Sequence, residues 1–393
     1  MSSSVVCLFI NLYYLLYAIL ISMYYHWITV SGSDSSKKIM RYGVPQGSIL
    51  GPLLFIVYIN DIPEIFKLAK FILYADDANI LLTGKSMAEI DEQLTELSVA
   101  LVKWVNCNGL ALNLSKTNYM IFARQKVQNT INLYIAGTLI QRKSEAKFLG
   151  VIVDEKLSWS QHVKCIKAKM SRYVGIMYKI RHVLPTQARL QIFHSFVQSH
   201  LNFCSLVWGF STKANIESLF ASQKKGMRAA MSGYVNYFYK DGNLPTHTKP
   251  SFCKYGVLTV HGVIATNTLI FMHKVDNFPN YLPPSVRETI ALNAPKRGSD
   301  HDSSEEWLKI FGDGVYNKSV FYKGPLMFID PVCAQIMTPT SLLSVKAFKA
   351  NAKRTVLQLQ NNGDSEEWQA GNFLLFNISG LRKSTRLNKQ ALE

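Results

Sequence analysis

The 393-residue chain has little to hold it together by covalent or metal chemistry. Its six cysteines (Cys7, Cys107, Cys165, Cys204, Cys253, Cys333) are scattered singly, with no C-x-x-C pair and no Cys/His cluster. That spacing excludes a disulfide framework and a structural zinc site, and a reducing compartment is the default. Glycine and proline are sparse, at 22 and 13 residues, so a collagenous, low-complexity or mainly disordered chain is excluded as well. Acids are scarce: 26 Asp and Glu stand against 43 Lys and Arg, a formal charge of +17 that favours an anionic partner. Charge of either sign is missing at the start, where no Asp, Glu, Lys or Arg precedes Asp34.

That uncharged start holds an apolar run from Val5 to Val30, longer than the ~20 residues that span a bilayer. Two readings stay open. A membrane helix would use Tyr24, Tyr25 and Trp27 as an interfacial belt, with Lys37, Lys38 and Arg41 holding that end in the cytoplasm. A buried leader is favoured instead by Asn11 and five tyrosines within the run. A secretory signal is disfavoured, because no basic n-region or clear small-residue cleavage site is present.

The length allows roughly two to four domains. After the leader (1–26), Trp27 to Val30, the Ser31–Asp34 turn and a run to Tyr42 predict a hairpin. Gly43 to Leu54 predicts a tight loop entering a helix. Phe71–Tyr74 and Asn79–Leu82 are β-prone and flank Ala75-Asp76-Asp77-Ala78, which predicts a hairpin with two adjacent carboxylates at a four-residue tip. Ser86 and Glu89 form a capping box ahead of Met87, Ile90, Leu94, Leu97, Leu101 and Trp104 at helical spacing, and Asn108-Gly109 supplies a stop. Short strands are expected around Ala111–Leu114, Tyr119–Phe122, Ile131–Ile135 and Lys147–Val153, so residues 27–155 read as an α+β block.

From Lys156 through Lys240 the pattern becomes helical, with thirteen basic residues and one acid, Glu217, a surplus of 12. A polyphosphate backbone is the natural counterpart of such a surface, because each neutralised phosphate releases a counterion. His162, His182, His194 and His200 lack ligand spacing and read as surface or packing residues. Residues 241–393 form a further helical region with a polar linker near 296–306, and the tail from Leu381 reads as frayed.

Adjacent aspartates on a hairpin tip suit a hard divalent cation, since carboxylate oxygens bind Mg²⁺ well. Tyr74-Ala75-Asp76-Asp77, preceded by Gly43-Val44-Pro45-Gln46-Gly47-Ser48-Ile49-Leu50-Gly51-Pro52-Leu53-Leu54-Phe55 and Tyr58-Ile59-Asn60-Asp61-Ile62, resembles the palm of reverse transcriptases of non-LTR retrotransposons, especially the jockey-like group. The resemblance runs from about Trp27 to the C-terminus. It takes in Phe148-Leu149-Gly150 and, more weakly, Trp208-Gly209 and Gln223-Lys224-Lys225.

The resemblance implies a partial palm followed by a mostly helical thumb and C-terminal region. Its implied activity is RNA-directed DNA polymerisation, with Mg²⁺ or Mn²⁺ as cofactor and an RNA template, a DNA primer and deoxynucleotides as partners. By the same resemblance, Asp76 and Asp77 would be metal ligands in a two-metal displacement. Gln46 and Gly47 would line the nucleotide and template side. Lys116 would meet the pyrophosphate leaving group, and Phe148, Leu149 and Gly150 would grip the primer end. Lys164, Lys167, Lys169, Arg172, Lys179 and Arg181 fall where the family's thumb tracks the nucleic-acid backbone. The family's centre also needs an aspartate on a strand well upstream of the Pro-Gln-Gly loop, together with fingers. The expectation is therefore an N-terminally truncated fragment, inactive alone, located in nucleus or cytoplasm, or at a membrane if the leader spans one. The alternative is a non-catalytic nucleic-acid-binding remnant, membrane-anchored through residues 5–30.

Overall fold

The computed structural model describes residues 4–13, 24–40, 47–123, 131–231, 239–240, 244–245, 248–278, 280, 282–284 and 344–362. The polar stretch 296–306 and the tail lie outside them. The chain divides into two compact units, residues 1–157 and 158–393.

In the first unit the apolar run opens as a strand, β1 (Ser4–Tyr13). The hairpin that follows is nested: β2 (Tyr24–His26) pairs with β5 (Lys38–Met40), and β3 (Thr29–Val30) pairs with β4 (Ser33–Asp34). Ser31 and Gly32 close it, both at positive φ, as a two-residue turn of mirror-image type needs. Helix α1 (Leu50–Tyr58) begins with the Gly51 N–H donating to Ser48 Oγ at 3.0 Å. It ends with the Tyr58 hydroxyl donating to the Asn108 carbonyl. Strands β6 (Lys70–Tyr74) and β7 (Asp77–Gly84) form the next hairpin.

The long helix α2 (Met87–Cys107) starts where Ser86 Oγ accepts the Glu89 N–H at 3.2 Å. The Glu89 carboxylate reaches back one residue further than an ideal capping box, to the Lys85 N–H at 2.7 Å. Ile90, Leu94, Leu97, Leu101 and Trp104 are the buried stripe, as the periodicity predicts, and Gly109 at φ +60° follows the helix end. Then come β8 (Ala111–Leu112), β9 (Asn118–Phe122), the small hairpin β10 (Tyr134–Ile135) and β11 (Thr138–Leu139), and β12 (Gln141–Arg142). The unit closes with the hairpin β13 (Glu145–Phe148) and β14 (Val151–Asp154).

The sheet order is β12-β9-β1-β7-β6, with β8 also on β1; all these pairs are antiparallel except β12 with β9. The fold is α+β. Strand β1 is the middle of this sheet, bonded to β7 on one side and to β8 and β9 on the other. A strand that is buried reads as a nearly continuous apolar run, which is why its composition imitates a membrane span. The membrane-helix reading of residues 5–30 is thereby corrected: Ser4–Tyr13, Tyr24–His26 and Thr29–Val30 are strands. Among the described residues no helix is long and apolar enough to cross a membrane.

Strand alternation gives the sheet two faces. Val6 and Leu8, Ala78, Ile80 and Leu82, and Tyr119 and Ile121 share one hydrophobic core with the buried stripe of α2. Burying each larger side chain there contributes about 1.5–3 kcal/mol. The opposite face carries Asp77, Asn79 and Asn118.

The second unit is helical. It comprises α3 (Ser160–Ile180), α4 (Thr186–Phe193) running into a π-helical turn at His194–Gln198, the short α5 (Ser199–Asn202) and α6 (Ser205–Trp208), and α7 (Lys213–Met231). After a two-stranded ribbon, Tyr239–Lys240 with Leu244–Pro245, come α8 (Lys249–Lys254), α9 (Val260–Asn277) and α10 (Val345–Asn362). Met170, Phe193, Trp208 and Phe220 share one core with Phe252, Val263, Phe348 and Val356. The helices on both sides of residue 240 are thus one body, although the composition changes between them.

Buried amides staple this body. Gln223 donates to the Gln198 Oε1 and the Leu258 carbonyl at 2.9 and 2.8 Å and accepts the Val260 N–H at 2.9 Å. Gln360 accepts the Thr259 N–H at 3.0 Å and donates to the Val257 carbonyl at 3.0 Å. His162 is buried near Trp208, and burial, reinforced by Lys169, lowers its pKa to about 4.

Arg189 corrects part of the surface-charge reading. It is 2% exposed and donates to the Ala230 carbonyl at 2.7 Å, the Leu184 carbonyl at 2.9 Å, Thr186 Oγ1 at 3.0 Å and the Arg181 carbonyl. It locks the α3–α4 connection to the end of α7 and is not available to a ligand. Arg189→Ala would leave several buried carbonyls without donors, each costing about 1–3 kcal/mol. A loss on the order of 3 kcal/mol in urea-unfolding free energy is expected, and an unchanged midpoint would contradict the clamp.

Candidate active site

The predicted carboxylate hairpin is present, with a tighter turn than the sequence suggests. Tyr74 pairs directly with Asp77, so the loop is the two residues Ala75 and Asp76, and Asp77 is already the first residue of β7. Ala75 takes φ +50°, the positive value that a two-residue hairpin turn demands at its first position and that alanine adopts at a cost. The turn thus projects adjacent carboxylates from the end of the sheet, both half-buried.

Beside it lies a cleft of about 390 Å³ lined by Asp77, Asn79, Ser115, Lys116, Asn118, Lys143, Glu145, Ala146, Lys147 and Phe148. The sequence pattern singles out three of these, Asp77, Lys116 and Phe148, and the fold gathers them from separate stretches of chain. Lys116 sits on a turn held by its own N–H donating to the Asn113 carbonyl at 3.1 Å, just before β9. Phe148 ends β13, and Leu149 and Gly150 form its turn at φ +44° and +89°. Asp76, Gly47, Leu149 and Gly150 are not among the residues lining the cleft. Gly47 has φ +85° with open space where a Cβ would point, so backbone conformation is what demands glycine there. Gln46 lies outside the described residues.

Reasoning from motifs missed Asn79, Asn118, Lys143 and Lys147. Strand alternation could have found the first two, because Asn79 is two residues along from Asp77 on the same face. The lysines carried no motif.

In the second unit the basic residues are distributed differently. Lys164, Lys167, Lys169, Arg172 and Lys179 are exposed on α3, away from its buried stripe of Val163, Ile166, Met170, Val174 and Met177. Arg181 is half-buried, and its Nε donates to His182 Nε2 at 2.9 Å. Lys224 lies 4.4 Å from the Phe220 ring centre, and burial lowers its pKa.

Residues 10–153 match the family model described as reverse transcriptase (RNA-dependent DNA polymerase). These residues are a reverse transcriptase domain. The match begins at Ile10, inside the run read above as a leader, so the strand that the fold places mid-sheet belongs in part to the domain. Among curated proteins the chain is 29% identical over 51% of its length to a probable RNA-directed DNA polymerase from transposon BS of Drosophila melanogaster. It is 28% identical over 51% of its length to the RNA-directed DNA polymerase from mobile element jockey of the same species, and 25% over 65% to that of Drosophila funebris. These alignments cover 24%, 23% and 28% of the respective relatives, so the chain spans about a quarter of their length. No solved structure matches it.

Reverse transcriptases use a divalent metal, and the donor set of this domain can be tested against that need. Among the described residues no group of three or more His, Cys, Asp or Glu side chains could hold a metal ion. The strand paired with β7 is in place, but the residue in register with Asp77 is Asn11. An amide brings no negative charge, so among the described residues Asp76 and Asp77 offer two adjacent carboxylates with no third acid grouped with them, a set that does not fit a two-metal centre.

The turn of the reverse transcriptase domain's last hairpin gives a separate test. Leu149 occupies a left-handed backbone region that favours glycine. Leu149→Gly is expected to stabilise the domain by up to about 1 kcal/mol in chemical unfolding. A clear loss would show that the leucine side chain contributes more than its backbone costs.

Proposed function

We propose that this chain is a reverse transcriptase piece of a non-LTR retrotransposon that still binds its nucleic-acid substrates but has a defective catalytic centre. The observation that carries the reading is the single cleft lined by Asp77, Lys116 and Phe148, next to a turn built on Asp76. In this reading Asp76 and Asp77 are the remaining cation ligands, for Mg²⁺ or Mn²⁺. Lys116 faces the phosphates of the incoming deoxynucleotide, and Gln46 and Gly47 lie on the nucleotide and template side. Phe148, Leu149 and Gly150 support the primer end. Lys164, Lys167, Lys169, Arg172, Lys179 and Arg181 neutralise the backbone of an RNA template paired with a DNA primer.

The defect is assigned to Asn11. With no third carboxylate opposite Asp77, the cation is held weakly and the rate falls by orders of magnitude.

Primer extension on an RNA template tests both halves. The chain as it stands is expected to give no product above background with Mg²⁺ or Mn²⁺. Asn11→Asp is expected to raise extension at least about tenfold, a gain that Asp76→Ala abolishes. Robust synthesis by the unaltered chain would overturn the assigned defect. Strong duplex binding with no synthesis from the Asn11→Asp chain would place the defect elsewhere.

A further inference from the structure

The second unit carries aromatic rings on its surface that contacts to a duplex backbone do not use. Between α4 and α5 the chain makes the π-helical turn His194–Gln198, a rare geometry that recurs at functional sites. Its inner side is anchored: Val197 is buried, and Gln198 Nε2 donates to the Leu258 carbonyl at 3.1 Å. Its outer side presents Phe196, 42% exposed, stacked on Tyr173 of α3 with ring centres 4.5 Å apart and planes 20° apart. The His200 ring of α5 follows at 6.2 Å from Tyr173. Burial, reinforced by Lys169, lowers its pKa, so at neutral pH this ring is flat and uncharged. Phe203, 48% exposed, ends the series, and its carbonyl accepts the Trp208 Nε1–H at 2.8 Å, which fixes the backbone that carries it. On α3, exposed Lys169 stands one turn before Tyr173 and exposed Arg172 next to it. The single acid between Lys156 and Lys240, Glu217, faces buried His261 at 3.4 Å.

Rings stacked face to face at a surface, beside cations and in a stretch almost free of acids, are complementary to unpaired bases. Every base has a flat π face that can extend a parallel stack, and its phosphate meets the cations. The buried pair Phe220 and Phe252 of the same unit instead meets edge-on at 66°, an arrangement that offers no stack to continue. A duplex keeps its base faces stacked inside, so protein rings on its outside cannot reach them. We propose that Tyr173, Phe196, His200 and Phe203 form a stacking platform for unpaired bases, with Lys169 and Arg172 holding the phosphates of the same strand. The platform rests on the reading of the second unit as a nucleic-acid-binding body, but its ligand is a single strand where that reading concerns paired template and primer. The strand could be RNA or DNA, since both present base faces and phosphates. A protein partner would use the rings as apolar area and would have no need of their flatness.

Fluorescence anisotropy of short labelled oligonucleotides with the full chain tests the platform without requiring synthesis. The probes are a single-stranded RNA, the same sequence as single-stranded DNA, an abasic strand of equal length that keeps sugars and phosphates but has no bases, and a blunt duplex. The unaltered chain is expected to bind at least one base-bearing strand about tenfold or more tighter than the abasic strand. Phe196→Leu combined with Phe203→Leu keeps the apolar area, removes the flat rings, and is expected to erase that preference while leaving duplex affinity unchanged. Lys169→Ala combined with Arg172→Ala is expected to lower the slope of log affinity against log salt for the single strand by roughly one to two, since each lost phosphate contact removes about 0.7. Whether the preference is found with RNA, DNA or both identifies the strand. Equal binding of base-bearing and abasic strands overturns the platform, and this comparison stands even if the leucine pair fails to fold. A preference that survives in the folded leucine pair also overturns it. So does a leucine pair that changes the association state of the chain while strand binding stays as it was, a result that marks a protein contact. Duplex binding without single-strand binding overturns the platform and leaves the duplex reading standing, whereas single-strand binding that depends on the rings, without duplex binding, does the reverse.

Discussion

The first unit depends on one backbone interaction, the pairing of β1 between β7 and β9. Without that strand, β7 and β9 would each present an unpaired edge, and the core face of Ala78, Ile80, Leu82, Tyr119 and Ile121 would lose Val6 and Leu8 from its centre. Because side chains alternate with a period of two, this register also fixes what the opposite face offers. Asp77, Asn79 and Asn118 line the cleft, and Asn11 stands at the position opposite Asp77. The same ten residues therefore set the register of both faces of the sheet. A one-residue slip would exchange the two faces.

Residues 10–153, which match the reverse transcriptase family, form an α+β scaffold with two adjacent carboxylates at one hairpin turn. Sheet, long helix and carboxylate turn are maintained by apolar packing and backbone hydrogen bonds. In the reading proposed above, the absent carboxylate costs a metal donor but no apolar packing, because Asp77 lies on the face away from the core. The cleft is lined by Lys116, Lys143 and Lys147 and by the buried amides Asn79 and Asn118. The second unit follows the same rule. Its exposed cations lie on α3 away from the core, while Arg189, equally basic in sequence, serves as an internal clamp.

Much of this was readable from residue order. The spacing of Ile90, Leu94, Leu97, Leu101 and Trp104 fixed α2, with Ser86 and Glu89 marking its start. The runs either side of Asp76 and Asp77 indicated their hairpin, and the motifs around them indicated the family. What failed has a common cause, since it concerned long-range pairing. The run from Val5 leaves a membrane helix and a buried segment both open because a fully buried middle strand and a membrane span have the same apolar composition, and only strands more than 60 residues away decide between them. Arg189 counted as surface charge because nothing nearby in sequence shows that the Ala230 carbonyl receives it. The cleft lysines were silent for the same reason: Lys143 and Lys147 line the cleft together with Asp77 and Asn118, residues far from them in sequence.

Amide hydrogen exchange over residues 5–11, measured on the full chain in aqueous buffer without lipid or detergent, tests the central claim most directly. Those amides are expected to exchange as slowly as their partners in 78–82 and 118–122 and to lose protection together with them on unfolding. Rapid exchange there while β7 and β9 remain protected, or protection that appears only when a bilayer is supplied, would contradict the account.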